Sequence, residues 1–268
     1  KSTRCSPSFT SLYRGKIIHT KAVNNVCCTR PKIPESQRKE NDLVWAFFGH
    51  KTNGFFVEVG ANDPILFSQT WMLEQKGWTG VLVEPLRACC ADLRRARKAR
   101  VVQVACAAPH QTGKAIFYVS GVRSSLVPNA FDPKVRYEAT ETVQVVTLTD
   151  VLQQVVAPEV IDFLSIDTEG TEGDVLRGLD LACFRPTLIL VEYFIYSLAL
   201  HRQLKAMGYK LIRRTKDNNW YIPQTMPFKV SATERWELFR KMYLSTPLRI
   251  FKRWLKQNRN RCQTVATK

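Results

Sequence analysis

Gly60-Ala61-Asn62-Asp63, Glu84, Asp167-Thr168-Glu169 and Glu192 each stand where an apolar run ends. A glycine turn lets the backbone come close to a ligand. An acid 24 residues beyond Gly60, at the end of the next apolar run, suits hydrogen bonds from the two hydroxyls of a ribose. The fuller G-x-G-x-x-G fingerprint is absent, and Asp63 would repel a diphosphate. A nucleoside without phosphates therefore fits better than the dinucleotide of an oxidoreductase. Asp167, Glu169 and Glu192 add three further carboxylates at such ends. For Glu169 and Glu172 the alternative is charge complementing a helix N-terminus. Carboxylates without histidine would hold only a hard cation such as Mg²⁺ or Ca²⁺, and loosely, so no metal is expected. His19, His50, His110 and His201 stand in no motif. His110 alone follows a strand closely enough to reach the others.

The elements that must position these residues alternate. Strands are predicted at 54–60, 80–84, 101–105, 114–119, 142–146, 160–166, 187–191, 209–213 and 220–222. Helices are predicted between them: a stripe carrying Leu43, Val44, Phe47 and Phe48, one started by Pro64 and running toward Gly77, a basic one over 87–98, and others at 149–155, after Gly170, and at 194–207. The stretch from Gly121 to Glu141 reads as a long loop in which Ser124 and Ser125 could close over a substrate. Alternation of this kind predicts an α/β fold, a mostly parallel doubly wound sheet with helices on both faces. Ligands of such sheets sit beyond the carboxyl ends of the strands, where the acids above are found.

The sequence resembles the FkbM-type methyltransferases, a Rossmann-like class I branch of the S-adenosylmethionine-dependent enzymes. The matching pieces are Ser36-Gln37 with Asp42, Phe55 to Asp63 (FFVEVGAND), Val83-Glu84-Pro85, Ser124-Ser125-Leu126, Thr147-Leu148, and Ile161 to Glu172 with Val175, Leu176 and Gly178. They run in the family's order over residues 36–213. Two positions depart from it: Pro64 stands where glycine is common, and Ser165 where lysine is common. The resemblance implies methyl transfer from S-adenosylmethionine to an oxygen of a saccharide or other small hydroxylated acceptor. By position, Glu58, Gly60, Ala61, Asn62 and Asp63 would line the methionine part of the cofactor, Glu84 the ribose, and Asp167 the sulfonium and acceptor. Asp167, Glu169 and Glu192 are the catalytic candidates. A scaffold that keeps the fold without turnover, through changes such as Pro64, is the non-enzymatic alternative.

The net charge of +17 is unevenly placed: +6 over residues 1–35, +1 over 36–213 and +10 over 214–268. An RNA methyltransferase would be expected to carry a basic patch on its catalytic body, so nucleic acid is disfavoured as a partner. Residues 1–35 lack sustained periodicity and are expected to form an irregular extension. Residues 36–223 are the expected domain, and 224–268 a basic helical extension. There Trp236, Phe239 and Tyr243, then Leu248, Phe251, Trp254 and Leu255, alternate with Lys and Arg across Pro247. That pattern suits peripheral contact with an anionic membrane. Eight cysteines, Cys5, Cys27, Cys28, Cys89, Cys90, Cys106, Cys183 and Cys262, show neither a zinc spacing nor a disulfide framework. Cys106 and Cys183 are expected to pack as small hydrophobes in a reducing, cytoplasmic compartment. No secretory signal or membrane span is read.

Overall fold

The computed structural model describes residues 9–13, 16–20, 33–128, 135–192, 198–215 and 218–240. Within the stretch expected to be irregular, β1 (Phe9–Tyr13) and β2 (Lys16–Thr20) pair as an antiparallel hairpin. The helix α1 (Glu35–Phe47) follows. Then come β3 (Phe55–Val59), α2 (Trp71–Gln75), β4 (Thr79–Val83), α3 (Arg87–Ala96), β5 (Arg100–Val102), β6 (Ala105–Cys106), β7 (Gly113–Val119) and β8 (Ala139–Val146). The chain continues through α4 (Leu148–Gln154), β9 (Val160–Ile166), α5 (Glu172–Arg177), β10 (Arg185–Glu192), α6 (Leu198–Ala206), β11 (Tyr209–Thr215), β12 (Asn218–Pro223) and α7 (Ala232–Phe239). Asn129, Pro133, the start of the helix predicted from 194, and the C-terminal pattern beyond residue 240 lie outside the described residues. So do Cys5, Cys27, Cys28 and Cys262.

A seven-stranded sheet in the order β11-β12-β10-β9-β3-β4-β5 forms the centre. Neighbours from β10 to β5 pair in parallel, while β12 runs against both β10 and β11. β12 is thus the one reversed strand of this sheet. Alternate residues of each strand enter opposite cores: Val57 and Val59, Val81 and Val83, Ile189 and Val191 on one face, Phe56, Leu82, Leu188 and Leu190 on the other. Strands buried on both faces read as continuous apolar runs, which is why they are legible in sequence. Leu148, Val151 and Leu152 of α4, Val175 and Leu176 of α5, and Leu200 and Leu204 of α6 cover the first face. Val44 of α1, Leu73 of α2 and Leu93 of α3 cover the second.

Three expectations change. The helix read from Pro64 is confined to Trp71–Gln75. Ahead of it the Asp63 carboxylate accepts from the backbone N–H groups of Ile65 and Leu66 (2.8 and 2.7 Å), and Phe67 takes a left-handed φ of 64°, so residues 63–70 form a loop. β7 and β8 leave the main sheet and join β6 in a three-stranded sheet with its own core around Phe117, Val143 and Val145. Cys183 is exposed rather than packed, whereas Cys106 is buried.

Candidate active site

The register of the parallel strands sets the site. Val83 pairs with Val59, Val59 with Ile166, and Ile166 with Val191. The next residue of each strand is Glu84, Gly60, Asp167 or Glu192, so these four stand in one row along the carboxyl edge. Asn218, first in β12, faces Glu192 and extends the row. The strand order turns between β3 and β9, the crevice where ligands of such sheets bind. A cavity of about 950 Å³ runs along this edge. Its lining includes Gly60, Ala61, Asn62, Glu84, Asp167, Glu169 and Glu192.

Gly60 has φ 86°, and a Cβ there would lie 1.8 Å from the Asp167 carbonyl oxygen. Its lack of a side chain lets β3 and β9 meet at the crevice. Asn62 and Glu169 also take left-handed φ values, 43° and 53°. Such conformations cost about 1–3 kcal/mol each and persist where the surroundings impose them. Here the Asn62 N–H donates to Glu84 (2.9 Å), and the Ser125 hydroxyl donates to the Glu169 carbonyl (3.0 Å). The other Glu84 oxygen accepts from the Leu86 N–H (2.9 Å). Each oxygen keeps a lone pair for a ligand hydroxyl. Ser124 lines the cavity, and its hydroxyl donates to the Gly121 carbonyl (2.7 Å).

Glu58 and Asp63 are engaged within the protein. The buried Glu58 carboxylate accepts from the Gln69 N–H and from the hydroxyls of Ser68 and Thr70. Asp63 holds its own turn, so both shape the loop above the cavity. The deeper brace of that loop is Arg97, which sequence reading passed over as one more cation at the end of a basic helix. Its guanidinium is fully buried, paired with Glu74 (3.2 Å), and donates to the Pro64 carbonyl, Ser68 and Thr70. Pro64 therefore contributes its carbonyl where no N–H is required. Gln37 of α1 completes the brace. Its amide donates to the carbonyls of Ile65 and Ser68 and accepts from the Phe67 N–H.

Burial pushes Glu84 up to about 7 against the pull of its two N–H donors. Asp167 is raised by burial, by the charge of Glu192, by a hydrogen bond to Glu192 and by Glu169. Burial, Glu192 and Glu172 push Glu169 up to about 8, against Arg123. Burial raises Glu172 as well, opposed by the N–H groups it caps, including that of Gly170 (2.9 Å). The folded protein then binds more protons than the unfolded chain across this range. That stability is present at low pH and lost as pH rises through the folded values. Ligand-free protein is expected to melt at lower temperature as pH rises from about 5 to about 9, with Glu84 alone accounting for about 3 kcal/mol. Melting curves against pH test this, and Glu84→Gln should flatten them.

His110 lies exposed in a 3-10 turn (Pro109–Gln111), and His201 meets the Tyr221 hydroxyl (3.1 Å). Among the described residues, no three His, Cys, Asp or Glu side chains are arranged to hold a metal ion. No described helix is long and apolar enough to cross a membrane.

The profile of the FkbM methyltransferase domain matches residues 58–211, more than half of the chain, including Gly60, Glu84, Asp167 and Glu192. The chain belongs to the FkbM methyltransferase family. The methyl donor of this FkbM enzyme is S-adenosylmethionine, and the cavity fits it. The lining carboxylates would offset a sulfonium and an ammonium, Glu84 would accept from a ribose, and Leu86, Ala105 and Phe117 would offer an apolar wall for a base. Among solved structures, the FkbM chain is similar to the METTL16 methyltransferase domain, at 14% identity and TM-score 0.39, over 70% of this chain and 68% of that one. It is also similar to the N-terminal domain of human METTL16 in complex with SAH, at 15% and 0.37, over 69% and 68%. A third is the hMettl16 catalytic domain in complex with MAT2A 3′UTR hairpin 6, at 12% and 0.36, over 73% and 72%. No curated protein matches the chain.

Proposed function

We propose that this methyltransferase acts on a hydroxyl oxygen of a saccharide or similar small hydroxylated molecule. The observation that carries the reading is that Asp167 and Glu192 stand side by side at the ends of the adjacent strands β9 and β10, both in the wall of the cavity. S-Adenosylmethionine, when bound, supplies an electrophilic methyl group on a sulfonium. Glu84 would hold the ribose, Gly60 to Asn62 the methionine end, and Leu86, Ala105 and Phe117 the base. Asp167, Glu169 and Glu192 would offset the cationic charge, which lowers the raised pKa values of Asp167 and Glu169 and readies a carboxylate. An alcohol must lose its proton as oxygen attacks carbon, and the Asp167–Glu192 pair is the acceptor for it. Alignment of the two substrates does the remainder.

RNA is the second reading. An edge lined by Asp167, Glu169, Glu192 and Glu40 repels phosphate, and the segment around it is nearly neutral. Transfer of labelled methyl from S-adenosylmethionine, tested on saccharides and RNA side by side, decides between them. Label in the saccharides is the expected result. Label in RNA alone would overturn it.

We also place the protein in the cytoplasm, in contact with an anionic bilayer through its C-terminal region. Cys89, Cys90, Cys106 and Cys183 are free thiols, as suits a reducing compartment. α7 opens with a capping box of Ser231 and Glu234 and buries no residue. Trp236 and Phe239 are stacked on it at 5.8 Å, 60% and 46% exposed. Residues 241–268 add eight Lys and Arg without an acid. The full chain should float with phosphatidylserine vesicles and not with phosphatidylcholine ones, and Trp236→Ala with Phe239→Ala should abolish flotation. Equal flotation with both lipids would count against this placement.

A further inference from the structure

We propose that α1, which precedes the segment matched by the family profile, is the acceptor-side wall of the cavity. Glu40 on it tunes the site to neutral or amine-bearing hydroxyl compounds and against anionic ones. This rests on the methyl-transfer reading above and names the acceptor's charge.

Glu84 and Asn218 stand four strand intervals apart, roughly 19 Å at the usual spacing. If Glu84 marks the ribose end and Asp167 the sulfonium, the space beyond Glu192 belongs to the acceptor. Two elements bound that space. One is the β11–β12 hairpin, through Thr215 and Asn218; the other is α1, through Ser36, Lys39, Glu40 and Leu43. Glu40 joins them. Its carboxylate accepts from the Thr215 hydroxyl, the Asn218 amide (2.6 Å) and the Trp220 indole N–H (3.4 Å). At the other end, Gln37 and Asn41 bind α1 to the loop over the cofactor end. α1 therefore spans both halves of the site.

The charge of this half is one-sided. Glu192 is close enough to raise Glu40, adding to burial and opposed by its three donors. Asp167 and Glu169 lie along the same wall. Among the described lining residues Lys39 is the cation, paired with Glu35 on the surface at 2.6 Å, and Arg123 acts on Glu169 from outside the lining. Once the cationic donor has ionised these acids, a phosphate or carboxylate on the acceptor would meet like charge at short range in a partly desolvated space, whereas an ammonium would be attracted. Glu40 is a positioning residue that also sets this field.

The test supplies the full chain and S-adenosylmethionine with glucose, glucosamine and glucuronate, reading methylated product by mass spectrometry. Calorimetry confirms that the donor binds, which separates failure of this inference from failure of the methyl-transfer reading. Product from glucose or glucosamine, and not from glucuronate, is expected. Glu40→Gln keeps an acceptor for Thr215 and Trp220. It should raise the KM for glucosamine about tenfold relative to glucose and admit glucuronate, with the KM for S-adenosylmethionine unchanged. Glu40→Asp should restore the discrimination. Preference for glucuronate by wild-type protein, no product from any sugar while the donor binds, or equal shifts in both KM values in Glu40→Gln would overturn the proposal.

Discussion

Asp167→Asn is expected to lower kcat for methyl transfer about 10²–10⁴-fold while the protein still folds and binds S-adenosylmethionine. The backbone at this position is fixed independently of the side chain, by the Asp167 N–H on the Val59 carbonyl (3.0 Å) and the close approach of Gly60. The substitution therefore removes the acid without moving the strand end. Asparagine cannot take a proton, and its amide would donate to Glu192 and hold that carboxylate away from the acceptor. The wild-type rate should rise with pH as Asp167, raised by burial, deprotonates, and the variant should lose that limb. Kinetics against pH, with donor affinity measured separately, check both parts. A variant with normal kcat would remove Asp167 from the chemistry.

Arg97→Ala is expected to destabilise the fold by about 3–5 kcal/mol. Its side chain is fully buried, with Glu74 at 3.2 Å, Glu58 at 3.9 Å and the ring of Phe56 below it. Removing the cation would strand two buried carboxylates and release the Pro64 carbonyl, Ser68 and Thr70 together. By contrast, the exposed Arg95–Asp92 pair at 3.4 Å should change stability by less than about 1 kcal/mol when broken. Urea denaturation of the two variants measures the difference. Similar losses in both would show that the buried network contributes little.

How much of this is legible in sequence differs from residue to residue. β3, β4, β9 and β10 are continuous apolar runs with an acid or glycine just beyond, so the strands and the row of chemical groups at their ends could be read directly. The loop over residues 63–70 could not. Its shape is set by side chains that reach back to the backbone, those of Asp63, Gln37 and Glu58, against the local helix signal of Pro64. Glu58 lines the cavity and Asp63 does not, and both carboxylates accept from the protein's own N–H or O–H groups. Glu40 and Asn218 are 178 residues apart and meet only when β12 inserts beside β10. Arg97 sits among Arg94, Arg95 and Lys98, and no pattern distinguishes the one cation that turns inward.

The central claim is that the row from Glu84 to Glu192 binds S-adenosylmethionine. Isothermal titration of the wild-type chain and of Glu84→Ala tests it most directly. Saturable one-site binding by the wild type, weakened about 100-fold or more by loss of two charge-assisted hydrogen bonds in the variant, is expected. A folded wild-type protein that takes up no S-adenosylmethionine, or a variant that binds it as well as the wild type, would contradict it.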